Sequence, residues 1–169
     1  MIVCVMGYHG SGKSTVAKLL GLKIIRVDRI GRKAFASRKK EIKKLFGSLN
    51  KKKIRKEIFS NGKLLLKFNK IVHPVLIKIL REELNKNKGK DLVIDAALYY
   101  DLRLSKLCDK TILVKKELSK IVKSLKEPRQ EVEMIIKNQK IPKKADFVVV
   151  NNGSKDELKK KVNKIKKVL

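Results

Sequence analysis

Acidic residues are scarce in this chain: 16 Asp and Glu stand against 45 Lys and Arg, a formal net charge of +29 over 169 residues. Cysteine is limited to two residues and aromatics to 5%. Cys4 and Cys108 lie far apart in sequence, without a C-x-x-C pair or a Cys/His cluster. That excludes a disulfide scaffold and a zinc site, and predicts two reduced thiols in a cytoplasmic protein. No apolar run is long enough to cross a bilayer, and no stretch at the N-terminus has the charged start, apolar middle and cleavage site of a secretion signal, so no membrane partner is expected. The lysines are spread along every helical stretch and are not interleaved with aromatics, so they read first as solvated helix faces. Such a field still attracts polyanions, and non-specific polyanion binding is the expectation it carries. Internal repeats and low-complexity linkers are also lacking. A length of 169 residues with 43% hydrophobic residues suits one globular domain.

The richest stretch is Gly7-Tyr8-His9-Gly10-Ser11-Gly12-Lys13-Ser14, which fits G-x-x-x-x-G-K-[ST] and directly follows the apolar run Ile2-Val3-Cys4-Val5-Met6. A buried strand, a glycine-rich turn and a helix start at Lys13 to Leu20 are the context a phosphate cradle needs, because loop amides and the helix N-terminus converge on the anion. Gly10 and Gly12 take backbone angles that a side chain forbids. Gly10, Ser11, Gly12, Lys13, Ser14 and Thr15 are the expected nucleotide-binding residues. Lys13 would reach the β- and γ-phosphates and Ser14 the Mg²⁺, which makes ATP with Mg²⁺ the expected ligand.

Further along, residues 23–27 read as a second strand that delivers Asp28 to a strand end, the edge where open α/β sheets bind ligands. Asp28 can accept a proton from an acceptor hydroxyl or contact the metal, or it is the N-cap of the next helix, and the functional and capping roles are compatible. Apolar residues from Ile30 to Phe46 recur at helical spacing, with a stop at Gly47. Residues 51–87 are helical in pattern, with breaks expected at Gly62 and Pro74. Leu92-Val93-Ile94-Asp95 is a buried strand ending in the carboxylate that a phosphate loop requires for its metal. Strands at 111–114 and 147–150 follow, separated by two lysine-rich helical stretches broken at Pro128 and carrying Lys123, Lys126, Arg129 and Lys137. Leu158, Val162, Ile165 and Leu169 mark a final amphipathic helix that packs on the sheet. The fold class is α/β: a core at 1–47 and 90–169, a helical insertion at about 48–89, and a lid at about 117–144.

The collinear series Gly10-Ser11-Gly12-Lys13-Ser14-Thr15, Asp28 with Ile30 and Arg32, Phe46-Gly47, Ile58-Phe59, His73-Pro74, Asp95 with Leu98, and Ala145-Asp146-Phe147-Val148 running into Asn151-Asn152-Gly153 resembles the dephospho-CoA kinase family. The resemblance implies a P-loop fold with a five-stranded parallel sheet flanked by helices, a helical substrate unit and a mobile lid. It implies transfer of the ATP γ-phosphate to the ribose 3′-hydroxyl of dephospho-CoA. By the same resemblance Asp28 is the catalytic base near the 3′-hydroxyl, and Lys13, placed at the phosphates by the loop motif, is the second expected catalytic residue. Arg32, His73 and Asp95 contact the substrate, Ser14 and Asp95 hold the metal, and Asn152 lies on the adenine side. The chain departs from the family at Met6, Arg26, Ala97 and Asp101, where threonine, an acid, proline and glutamate are usual. It also departs at Met134-Ile135-Ile136-Lys137-Asn138-Gln139, where the lid helix lacks its arginines. The residues themselves leave open a kinase for another nucleoside or nucleotide, or a nucleic-acid-associated ATP-binding module.

Overall fold

The computed structural model describes residues 1–97, 102, 104–125, 127–142 and 144–169. Leu98, Asp101 and Lys126, named above, lie outside the described residues. The chain forms two compact units, Met1–Arg26 with Gly89–Leu169, and Val27–Lys88.

The first unit is built on five strands, β1 (Ile2–Gly7), β2 (Lys23–Arg26), β3 (Leu92–Asp95), β4 (Lys110–Lys115) and β5 (Phe147–Val150). Their order is β2-β3-β1-β4-β5, and every pairing is parallel. Parallel strands covered on both faces read as continuous apolar runs, which is why β1 is buried from Val3 to Gly7 and β3 throughout. On one face Val3, Val5, Val93, Ile112, Val114 and Val149 meet α1 (Lys13–Leu20) and α8 (Lys155–Lys166) through Val16, Leu20, Leu158, Val162 and Ile165. Leu169 packs at the margin of this cluster, so the final helix covers the sheet as its spacing predicts. Two further helices of this unit, α6 (Leu118–Ser124) and α7 (Arg129–Asn138), flank Pro128, which sits at the N-cap of α7.

The sheet joins residues that looked unrelated in sequence. The neighbouring Cys108 thiol, together with burial, pushes the pKa of the buried Cys4 thiol far up. Ahead of β5, Asp146 accepts hydrogen bonds from the Thr111 backbone N–H at 2.8 Å and from the Thr111 hydroxyl, while its own N–H donates to Thr111 Oγ1 at 3.0 Å. These bonds tie the start of β5 to β4 and hold the Asp146 carboxyl below its usual range.

The second unit is helical: α2 (Val27–Ser37), α3 (Lys39–Phe46), α4 (Lys51–Ser60) and α5 (Gly62–Asn85). It starts at Val27 rather than near residue 48, because α2, α3 and α4 all pack on α5. Phe68 of α5 receives Phe35 and Phe46 at ring-centroid distances of 6.4 and 6.1 Å. Asn50 and Asn61 cap α4 and α5, each side-chain oxygen accepting from two amides of the following turn. Two expectations are corrected here. The helical pattern from Ile30 to Phe46 is two helices, parted at Arg38, where Ser37 Oγ donates back to the Ala34 carbonyl at 2.9 Å. Pro74 does not break the helix: α5 runs through it, and the cost of the missing N–H is offset by Val72, Leu76 and Leu80, buried on either side.

Candidate functional site

The phosphate-loop motif occupies the turn between β1 and α1. The chain turns through Gly10 and Gly12 at φ 75° and 98°, in the left-handed region, and Ser11 N–H donates to the Tyr8 carbonyl at 3.1 Å. Space as well as backbone demands glycine here. A Cβ on Gly10 would lie 2.8 Å from Ile121 and Leu125 side-chain carbons, and one on Gly12 would strike the Asn151 amide nitrogen. The loop ends at the α1 N-terminus, where Gly12 gives no side-chain cap and the first turn has no acid, so no side chain of α1 itself offsets the positive end of the helix. Lys13 is 9% exposed, and its Nζ donates to the Tyr8 carbonyl at 2.8 Å, folding the cation back over the loop. The Ser11 hydroxyl is buried without a hydrogen-bond partner inside the same turn.

Ser14, in the first turn of α1, donates its hydroxyl to Asp95 Oδ2 at 2.6 Å. Asp95 closes β3 and is 8% exposed, and parallel pairing places it level with Val5 of β1 and Arg26 of β2. Among the described residues no group of three or more His, Cys, Asp or Glu forms a metal cage. A hydroxyl paired with one carboxylate nevertheless fits nucleotide-bound Mg²⁺, which keeps waters and phosphate oxygens for most of its shell.

Asn151, just past β5, donates from Nδ2 to the Ser11 carbonyl at 2.8 Å and so supports the loop from the neighbouring strand end. Asn152 turns the other way: its Oδ1 accepts from the Glu117 N–H at 2.9 Å, its Nδ2 donates to Glu117 Oε1, and its carbonyl accepts from Lys120 Nζ at 2.7 Å. His9 completes the loop's contacts. Its N–H donates to Gln139 Oε1 and its Nε2 to Glu127 Oε2, each at 2.8 Å. The structure therefore gathers Gly10, Ser11, Gly12, Lys13, Ser14, Thr15 and Asp95 at one end of the first unit. Asn151, His9, Glu127 and Gln139, none singled out as site residues from sequence, join them. For Asn151 a signal existed, since it too follows a strand at the carboxyl edge of the sheet. Asp28, Arg32 and His73 belong to the second unit. Asp28 is exposed in the first turn of α2, not on the strand, which ends at Arg26. Arg32 is exposed one turn on, and His73 is half-buried on α5. Of the cations carried by the lysine-rich stretches around Pro128, Arg129 pairs with Glu133 of its own helix at 2.8 Å, and Lys137 is exposed. Among the described residues no helix is long and apolar enough to cross a membrane.

A family model described as Dephospho-CoA kinase matches residues 1–157. The chain is 32% identical to a dephospho-CoA kinase of Borreliella burgdorferi over 68% of its own length, a match that spans 62% of that relative. It is also 32% identical to a dephospho-CoA kinase of Fusobacterium nucleatum, with 97% of this chain and 96% of that one covered. A crystal structure from Thermus thermophilus superposes with a TM-score of 0.83 at 27% identity, covering 100% of this chain and 97% of that one.

Proposed function

Since the chain belongs to the dephospho-CoA kinase family, we propose that it transfers the γ-phosphate of ATP to the ribose 3′-hydroxyl of dephospho-CoA, giving coenzyme A and ADP. The observation that carries the reading is the phosphate cradle at Gly10 to Thr15 with the Ser14–Asp95 pair at its mouth. In the forward step the 3′-oxygen forms its bond to the γ-phosphorus as the bond to the bridging oxygen of ADP breaks, and the hydroxyl proton passes to Asp28. Lys13 leaves the Tyr8 carbonyl for the phosphates, where negative charge must be held. The loop amides and the α1 N-terminus fix the donor in line, so that catalysis is chiefly positioning and charge stabilisation. Ser14 and Asp95 would hold Mg²⁺, which supplies neutralisation of the phosphate charge. Arg32 and His73 hold the acceptor, Asn152 lies beside the base of the donor, and residues at about 117–144 act as the lid that excludes water.

The assay that tests this offers ATP with dephospho-CoA, nucleosides and other nucleotides as acceptors. Selective 3′-phosphorylation of dephospho-CoA is expected. A higher kcat/KM for another nucleotide would move the chain to a different acceptor with the same donor site. Polyanion attraction, by this reading, is a by-product of the +29 charge and falls steeply with salt.

A further inference from the structure

The phosphate loop is fastened at a residue that the reaction does not use. His9 stands third in the motif, and both its backbone and its side chain are committed to the segment carrying α6 and α7: the N–H to Gln139 and Nε2 to Glu127. One residue on, Gly10 lies flush against Ile121 and Leu125 at the end of α6. The opposite flank of the loop is held by Asn151 on the Ser11 carbonyl. Gly10 between these supports and Gly12 just beyond them both take positive φ, which gives the loop little stiffness of its own. The His9–Glu127 pair is half-exposed, at 36% and 28%, so as an isolated ion pair it would stabilise the fold weakly. Its position gives it a different use. A bond that fixes the peptide units entering Gly10 fixes the direction of the amides that follow.

We propose that Glu127 and Gln139 are positioning residues for the phosphate donor, acting through His9 to hold the loop backbone in the conformation that receives the ATP phosphates. This rests on the reading of the loop as the ATP site, and it adds an assignment for the α6–α7 segment that does not depend on arginines there. The fastening is paid in advance by the fold, so losing it shows as weaker nucleotide binding rather than slower chemistry.

The test uses the full chain. MgATP affinity by calorimetry, steady-state kcat and KM for ATP, and melting temperature are measured for wild type, Glu127→Ala, His9→Ala, the double variant, Gln139→Ala and His9→Gln. Each single alanine variant is expected to weaken MgATP binding by about tenfold and to raise KM for ATP in step, with kcat within about threefold of wild type. The double variant should lose no more than Glu127→Ala alone, since both substitutions break one bond. His9→Gln, which keeps an N–H at that reach, should recover most of the loss. Unchanged affinity in all the variants, additive losses in the double variant, or losses confined to kcat and melting temperature would each overturn the proposal while wild type still binds MgATP. Wild type that fails to bind MgATP would overturn the loop assignment and this proposal with it.

Discussion

Ser14 and Asp95, separated by 81 positions, meet at 2.6 Å, so the first turn of α1 and the carboxyl end of β3 share one hydrogen bond. The contact follows from the sheet order. Placing β3 directly beside β1 brings the residue that ends β3 next to the loop that leaves β1.

Asp95→Asn keeps an acceptor for the Ser14 hydroxyl and removes the charge. Activity titrated with Mg²⁺ at fixed ATP should reach half-maximum at a metal concentration about tenfold or more higher than in wild type, because a neutral amide is a poor ligand for a hard cation. The melting temperature should stay close to that of wild type. An unaltered Mg²⁺ dependence would remove Asp95 from the metal site.

Asn151 and Asn152 are adjacent and face different partners, the Ser11 carbonyl and Glu117. Asn151→Ala should therefore weaken ATP and inorganic triphosphate alike, by about tenfold, since it frees the loop that holds phosphate. Asn152→Ala should weaken ATP but not triphosphate, because the proposed function sets its segment beside the base and away from the phosphates. Competition assays with the two ligands check this. Triphosphate binding that survives Asn151→Ala would show that the loop does not depend on this support.

The Asp146–Thr111 clamp predicts a pH-dependent contribution to stability. Hydrogen bonds from Thr111 depress the Asp146 carboxyl below its unfolded value of 3.8. A depressed pKa stabilises the fold above the unfolded value, and that contribution is lost as pH falls through the folded one. The melting-temperature gap between wild type and Asp146→Asn should be full at neutral pH and shrink only as the pH falls below the unfolded carboxylate value of 3.8. A constant gap over that range would mean that the carboxylate charge is not what Thr111 holds.

These relationships differ in how far the sequence disclosed them. The loop, Asp95 and the five strands were legible because each is a local pattern: an apolar run, a glycine-rich turn or an acid at a strand end. Pairings such as His9 with Glu127 or Cys4 with Cys108 were not, since they are made by the packing of elements more than a hundred positions apart. At Pro74 and at Arg38 the local rule pointed the wrong way. In the first case burial on both sides of the proline prevailed over propensity. In the second a serine back-bond divided a stripe of apolar residues whose period alone shows no break.

Asp28 lies in the first turn of α2, exposed, where a carboxylate favourably meets the positive end of the helix. That placement gives it a structural role worth about 0.3–1 kcal/mol at most, and the catalytic role must be separated from it. Asp28→Asn preserves size and most hydrogen bonding but cannot accept the hydroxyl proton. Melting temperature should shift slightly, MgATP affinity should stay within about threefold, and phosphate transfer to dephospho-CoA should fall by roughly 10² or more, the scale of general-base loss. A fall in ATP affinity as steep as the fall in turnover would instead place Asp28 among the donor's ligands. Turnover that persists with only the melting temperature lowered would reduce Asp28 to the charge at the start of α2, and the proton would have to leave through Asp95 in the first unit.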